Sequence, residues 1–214
     1  MRLYSYYRSS TSYRVRIALN LKGVNYDYAA VDLKCGENKS DDFAAVNPHK
    51  TLPVLEAGDV LLVQSPAILD WLEINYPEPS FIPADKAKAQ IARELYYAIV
   101  SETHAPNNLP VLQYLKSEFG ADQRQIEKWI QTWNHRTLEA IERRLSVIGW
   151  ENDILPFGVP TLFEIALIPL IYNANRWNTD LSNFPIIQRV DAHCCALPSF
   201  KKARPEIQPD APKE

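Results

Sequence analysis

Tyr6-Tyr7-Arg8-Ser9-Ser10-Thr11-Ser12-Tyr13-Arg14-Val15-Arg16-Ile17-Ala18-Leu19 is the stretch whose reading decides the fold. It follows a short apolar segment and sets four hydroxyl residues, Ser9 to Ser12, in a row. It then turns periodic at helical spacing, with Val15, Ala18, Leu19 and Lys22 on one face. Hydroxyl side chains just ahead of an apolar-periodic run form a helix N-cap. The pattern therefore places several hydroxyls and a set of open backbone N–H groups at one helix N-terminus, where the macrodipole stabilises an anion.

Strand and helix signals alternate on either side. Arg2 to Tyr6 predicts a strand, Ser10 to Lys22 a helix stopped by Gly23, and Tyr26 to Leu33 a second strand. Lys34 to Ser40 is polar loop, and Asp41 to Ala45 is at most a short helix, ended by Asn47-Pro48. Pro53-Val54-Leu55 and Val60-Leu61-Leu62-Val63 flank Glu56-Ala57-Gly58-Asp59, a hairpin pattern. Ser65 is the expected cap of the next helix, with Pro66 at its first position and Ile68, Trp71 and Leu72 on its buried face. The order β-α-β-α-β-β-α builds a mixed sheet with helices on its faces. Tyr76 to Ala84, with Pro77, Pro79 and Pro83, reads as a linker. The expected domains are residues 1–80 and 86–214.

Everything after the linker is helical in pattern. Lys86 to Ser101 is one helix, with Pro106 to Lys116 its irregular continuation. Asp122 to Ser146 holds helical spacing through Ile126, Trp129, Ile130, Trp133, Thr137, Leu138, Ile141 and Leu145. Thr161-Leu162-Phe163-Glu164 is a capping box opening a helix to about Asn173. That helix is apolar on nearly all sides and is the expected core of the second half. Pro169 inside it predicts a kink or an early end. Phe184 to Ala196 is a last helix, and the tail after Arg204 is expected to be irregular. The fold class is an α/β thioredoxin-like N-terminal domain followed by an all-α domain.

Apolar residues make up 46% of the chain and charged ones 23%, as in an ordinary globular protein. The net charge of −3 argues against a nucleic-acid footprint. No uncharged apolar run approaches the ~18 residues of a membrane span. Arg2, Arg8, Arg14 and Arg16 interrupt the N-terminal region, so no secretory leader is expected. Cys35, Cys194 and Cys195 are an odd set without C-x-x-C, which points to a reducing cytoplasm rather than a disulfide framework. His193-Cys194-Cys195 are successive helical positions that point different ways, so no metal site is expected. Dinucleotide and P-loop glycine motifs are absent.

Three places carry chemistry. The first helix opens with S-x-x-S where a redox protein of this layout carries C-x-x-C. Ser9 to Ser12 either only cap the helix or bind a thiol brought by a ligand. A charge-assisted hydrogen bond of ~1.5–3 kcal/mol plus a dipole contribution of ~0.3–1 kcal/mol depresses a thiol pKa by about one to three units, at about 1.4 kcal/mol per unit. That brings a thiol of pKa about 8.5 toward neutrality. In Asn47-Pro48-His49-Lys50-Thr51-Leu52-Pro53, Pro53 is either an edge-strand proline or a cis-proline exposing the Leu52 backbone, to which a peptide-like ligand pairs as an added strand does. Gln64-Ser65, at another helix start, is either an ordinary cap or a carboxylate site. A thiol anchor, a peptide anchor and a carboxylate anchor on one domain together describe glutathione.

At Ser9-Ser10-Thr11-Ser12-Tyr13-Arg14-Val15-Arg16-Ile17-Ala18-Leu19 the chain resembles the zeta class of the cytosolic glutathione transferases, whose signature is S-S-C-S-W-R-V-R-I-A-L. The similarity continues through Asn47 to Pro53, Gln64 to Ile68, His104 to Asn108, Pro160-Thr161-Leu162 and Gln208-Pro209-Asp210. The resemblance implies that Ser9 activates the glutathione thiol, with Ser10 and Thr11 beside it in the catalytic group. It implies that Leu52 and Pro53 hold the cysteinyl backbone and Gln64 and Ser65 the γ-glutamyl end. His104 and Asn108, in the pattern H-x-P-N-N, would border the glutathione or substrate pocket; His104 also fits a helix-packing or capping role. Arg8 and Arg176 would bind the carboxylates of a small diacid, or are surface arginines.

The implied activity is glutathione-dependent cis–trans isomerisation of maleylacetoacetate or maleylpyruvate, in a cytoplasmic homodimer. Conjugation, α-haloacid dehalogenation and non-catalytic binding are the alternatives. Arg14 and Arg16 read as structural or interface charges. Three departures from the class pattern stand out: Thr11 for cysteine, Phe157-Gly158-Val159 for the usual Gly-Asp, and Glu164 for aspartate.

Overall fold

The computed structural model describes residues 1–148 and 155–213. The chain divides into two units, Met1–Ser80 with Leu197–Glu214, and Phe81–Ala196. The first contains β1 (Arg2–Ser5), α1 (Ser10–Leu21), β2 (Asp27–Ala30), a 3-10 turn at Glu37–Lys39, α2 (Asp41–Val46), β3 (Val54–Ala57), β4 (Val60–Val63) and α3 (Ser65–Asn75). The sheet order is β2-β1-β3-β4. β1 runs parallel to β2, with Leu3 opposite Tyr28, and antiparallel to β3, with Leu3 opposite Leu55. β3 and β4 form the hairpin that the sequence predicts, and Gly58 takes the left-handed turn position with φ 64°.

α1 lies against α3 and is buried continuously from Ser12 to Leu19 rather than along one stripe. That burial takes in Arg14 and Arg16, so the helix is covered on faces that its sequence marks as charged. Lys22, at its end, donates Nζ to Glu73 Oε2 at 2.9 Å and to the Pro79 carbonyl at 2.7 Å, which satisfies a cation whose side chain is shut off from water. β2 is shorter than expected, because the chain after Ala30 turns away through Asp32.

The second unit is helical: α4 (Lys86–Tyr97), which widens into a π-helical stretch at Ala98–His104, α5 (Leu109–Phe119), α6 (Gln123–Val147), α7 (Leu162–Arg176) and α8 (Pro185–Ala196). Pro106 to Lys116 is not a continuation of the preceding helix. Asn108 is extended and caps α5, accepting from Leu109 N–H at 2.8 Å, so a new helix begins there. α6 opens with a capping box of Asp122 and Gln125. α7 packs on α4, α6 and α8, and every residue from Leu162 to Ile171 is buried. It runs unbroken through Pro169 to Arg176, not stopping near Asn173. The hydrogen bond that proline forfeits is outweighed by burial on all sides.

The tail, expected in the helical half, joins the first unit. α9 (Pro198–Lys201) packs on α1, with Phe200 and Ala203 fully buried. Arg16 Nε donates to the Ala203 carbonyl at 3.0 Å, and Asn20 Nδ2 to the Ser199 carbonyl at 2.9 Å. The end of the chain is therefore pinned rather than loose.

The capping box of α7 carries a buried acid. Glu164 Oε2 accepts from the Thr161 backbone N–H at 2.7 Å and the Thr161 hydroxyl at 2.6 Å, while Oε1 has no partner among the described residues. Burial pushes its pKa from 4.5 up to about 7, against the opposing pull of the Thr161 hydrogen bonds. A carboxyl raised in the folded state stabilises most when protonated. Its contribution is fully present below the unfolded value and is lost as pH rises through the folded one. The urea midpoint is therefore expected to fall between about pH 5 and about pH 8, and Glu164→Gln to flatten that fall. Equal slopes for the two proteins would remove Glu164 as the source.

Candidate active site

Ser9 is the N-cap of α1, with φ −68° and ψ 120°, and its Oγ accepts from Ser12 N–H at 3.2 Å. Thr11 Oγ1 donates to the Leu52 carbonyl at 2.9 Å and lies 3.0 Å from Ser9 Oγ. A threonine hydroxyl has one proton. With that proton directed to Leu52, Ser9 is the donor in the Ser9–Thr11 contact. Its proton thus rests on a neutral oxygen, and an incoming thiolate offers a stronger, charge-assisted acceptor. Arg8, Ser9, Ser10 and Thr11 are all half-buried, as suits a group that meets a ligand. Ser10 is the first residue of α1, so its N–H faces the same N-terminal opening. The Arg8 guanidinium sits 5.7 Å from the Tyr7 ring centre.

The loop before β3 is held by buried amides. Asn47 is fully buried; its Nδ2 donates to the Thr51 carbonyl at 2.7 Å and its Oδ1 accepts from His49 N–H at 3.0 Å. Asn38 Nδ2 donates to the Lys50 carbonyl at 2.6 Å. Of the two readings of Pro53, the Leu52–Pro53 peptide bond is cis. The Leu52 carbonyl already takes the Thr11 hydroxyl and keeps its second lone pair. No hydrogen bond among the described residues uses the Leu52 N–H. That open donor is available to a peptide-like ligand.

At α3 the cap is Gln64, not Ser65. Gln64 holds φ 69° and ψ 117°, a strained conformation for a residue with a Cβ, and no side chain caps the turn. Strain of this kind, of order 1–3 kcal/mol, collects at ligand sites. Ser65 is the first helical residue; it is buried, and its Oγ accepts from Arg14 Nη1 at 3.5 Å. An uncapped helix N-terminus beside a buried guanidinium suits a carboxylate. Arg14 was not readable as part of this place, because 51 residues separate it from Ser65 and no spacing links them.

The first unit therefore brings together Ser9, Thr11 and Leu52, with Gln64, Ser65 and Arg14 as a second group. His104, Asn108 and Arg176 belong to the helical unit. His104 closes the π-helical stretch and is half-buried. Asn108 caps α5, while its neighbour Asn107 reaches Asn134 at 3.1 Å and the Pro106 carbonyl accepts from Trp129 Nε1 at 3.1 Å, which fixes this segment on α6. Arg176 is exposed in the last turn of α7, its guanidinium 5.2 Å from the Trp177 ring centre. In α8, His193 is exposed, Cys194 buried and Cys195 half-buried, so the three face different ways.

Residues 3–80 match the family described as glutathione S-transferase, N-terminal domain. A maleylpyruvate isomerase of a Ralstonia species is 42% identical over 99% of this chain and 100% of its own length. The holo structure of a maleyl pyruvate isomerase, a bacterial glutathione S-transferase of the zeta class, superimposes with a TM-score of 0.96 at 43% identity, over 99% of this chain and 100% of that one. A maleylacetoacetate isomerase from Anaeromyxobacter dehalogenans, solved with dicarboxyethyl glutathione and citrate in its active site, has a TM-score of 0.85 at 39% identity, over 99% of this chain and 93% of that one.

The Thr11 bridge can be tested by itself. Thr11→Val keeps the shape and removes the donor, leaving the Leu52 carbonyl short of a partner. It is expected to lower the unfolding free energy by about 1–3 kcal/mol, while Thr11→Ser loses less than half as much. Denaturant titrations of both variants measure this. A Thr11→Val protein as stable as the parent would dismiss the bridge as a structural tie.

Proposed function

The chain belongs to the zeta class of the glutathione S-transferases, and we propose on that footing that it is a glutathione-dependent cis–trans isomerase of a maleyl diacid, maleylacetoacetate or maleylpyruvate. The observation that carries this reading is the donor set of the first unit. The Ser9 hydroxyl lies at the N-terminus of α1, one hydroxyl away from Leu52, whose N–H is open. These donors fit glutathione: a hydroxyl for the sulfur, an N–H for the cysteinyl carbonyl, and the uncapped start of α3 with Gln64, Ser65 and Arg14 for the γ-glutamyl carboxylate.

Bound glutathione supplies a nucleophilic sulfur that transiently saturates the substrate double bond, so that it rotates before it re-forms. The protein's part is to keep that sulfur deprotonated and the diacid oriented. Ser9 turns its proton from Thr11 toward the sulfur, and the α1 dipole adds to the same end. The reaction consumes no net proton, so Ser9 need not act as a proton reservoir. Ser10 and Thr11 complete the surroundings of the hydroxyl, and Pro53 fixes the strand start beyond Leu52. Arg8 and Arg176 are proposed to hold the two substrate carboxylates through planar, bidentate contacts. A cation at the carbonyl end also eases the charge that develops there. His104 and Asn108 are proposed to line the pocket.

We further take the protein to be a homodimer. Val60 and Leu61 on the edge strand β4 and Ile74 on α3 are exposed apolar residues of the kind a partner subunit covers. The three cysteines are free, which supports a reducing compartment such as the cytoplasm. Among the described residues no helix is long and apolar enough to cross a membrane.

Incubation with glutathione and either maleylacetone or maleylpyruvate is expected to yield the fumaryl isomer, and assaying the two side by side identifies the better substrate. Ser9→Ala is expected to lower turnover at least ~100-fold. It also removes the α1 cap at a cost of about 1 kcal/mol, so its thermal midpoint is measured alongside. Full activity in that variant would take the thiol role from Ser9. A protein that binds glutathione but turns over neither substrate would be a conjugating or dehalogenating enzyme instead.

A further inference from the structure

The turn that carries Ser9 is gripped from behind by side chains that take no part in the proposed binding set. Tyr7 N–H donates to Asp210 Oδ2 at 2.8 Å, and the Tyr7 carbonyl accepts from Arg16 Nη2 at 2.8 Å. Both backbone polar groups of this one residue, two positions ahead of Ser9, are thus held by hydrogen bonds to side chains. Ser9 N–H donates to the Tyr6 carbonyl at 3.0 Å, and that same oxygen takes Arg16 Nη1 at 3.4 Å. The grip therefore extends over the whole backbone from Tyr6 to Ser9.

Asp210 is itself aimed. Tyr28 donates its hydroxyl to Asp210 Oδ1 at 2.6 Å. Burial, reinforced by that hydrogen bond, raises the Tyr28 pKa, so the phenol stays a donor. The tail folds to deliver the carboxylate: Gln208 Nε2 donates to the Arg204 carbonyl at 2.7 Å and the Lys202 carbonyl at 3.1 Å, and Ala211 N–H closes a turn onto the Gln208 carbonyl at 3.0 Å. Ala211 then packs on the cluster that contains Tyr6, Tyr7 and Leu52, under both the thiol and the peptide anchors.

We propose that Asp210, acting with Arg16, is a positioning residue for the Ser9 hydroxyl, and that the C-terminal segment Gln208–Ala211 is a working part of the thiol site. This rests on the reading of Ser9 as the group that holds the glutathione sulfur. A hydroxyl stabilises a thiolate only while it is kept within hydrogen-bond distance, and a displacement of about 1 Å from a remote change can cost about 100-fold in rate. Hydrogen bonds on either side, from the Tyr7 N–H to Asp210 and from Arg16 to the Tyr7 carbonyl, remove the freedom that would allow such a displacement.

The experiment compares the full-length protein with Asp210→Ala, Asp210→Asn and Tyr28→Phe. Thermal midpoint, kcat and KM are measured, together with the pH titration of the bound glutathione thiol followed by thiolate ultraviolet absorbance. Asp210→Ala is expected to lower kcat/KM by about 10- to 100-fold and to raise the bound thiol pKa by about one unit. Asp210→Asn accepts from Tyr7 through its oxygen and donates to Tyr28 through its amide, so it should recover most of the activity. Tyr28→Phe leaves the Tyr7 bond in place and should move the thiol titration in the same direction by less. It decides the matter if Asp210→Ala does not fold.

A wild-type thiol titration in Asp210→Ala, or in Tyr28→Phe where that variant must decide, overturns the proposal. So does an Asp210→Asn protein as impaired as the alanine variant, since charge rather than geometry would then be responsible. A parent protein that neither binds glutathione nor isomerises either diacid removes the functional reading itself, and the positioning role falls with it.

Discussion

Arg16 is fully buried, and its guanidinium donates to the Ser5 hydroxyl and to the carbonyls of Tyr6, Tyr7 and Ala203. No carboxylate among the described residues meets it directly. A buried cation is tolerated only when its donors are satisfied, and here the acceptors come from the end of β1, the turn before α1 and the tail after α9. Burial lowers its pKa, yet a guanidinium stays charged in proteins. One charge therefore requires the Ser5–Tyr7 run and the tail at Ala203, 187 residues from Arg16, to meet in a single arrangement. The Ser9 turn has its shape because those carbonyls must face inward to Arg16, which leaves the hydroxyl side facing out.

That turn does two tasks with few atoms. Ser9 Oγ caps α1 through Ser12 N–H and also holds a proton that it can redirect. Thr11 separates the tasks by committing its own proton to the Leu52 carbonyl. Cysteine stands at this position in the class signature, and a thiol is a weaker donor than a hydroxyl. With threonine, the α1 start is tied more firmly to the loop carrying Leu52, so the Ser9 hydroxyl and the Leu52 backbone are spaced by a hydrogen bond rather than by packing alone.

The helical unit is organised around α7, buried from Leu162 to Ile171. A helix covered on all sides needs its first N–H groups satisfied within the protein. Thr161 and Glu164 do this, and the Leu162 N–H reaches the Phe81 carbonyl at 3.0 Å. Glu164 satisfies the cap with one oxygen while the other is buried without a partner among the described residues, and it is the burial that makes its carboxyl resist ionisation.

Local patterns in the sequence determined the element order of the first unit, the mixed sheet, the hairpin at Gly58, the Thr161 box and the hydroxyl cap of α1. Hydroxyl caps, period-two and helical apolar spacing, and prolines act over a few residues, so they can be read without knowing what packs where. Only the tertiary structure decided that Gln64 rather than Ser65 caps α3, that α7 passes through Pro169, that Arg14 meets Ser65 and that the tail returns to Tyr7. The last three depend on groups tens to hundreds of residues apart, and the first on a backbone conformation at Gln64 that no cap pattern records. Arg14 and Arg16 read in the sequence as structural or interface charges, with no partner that a short window can name. Arg14 meets Ser65 from α3 and Arg16 meets Ser5 to Tyr7 and the tail carbonyl of Ala203, and no local pattern records those meetings.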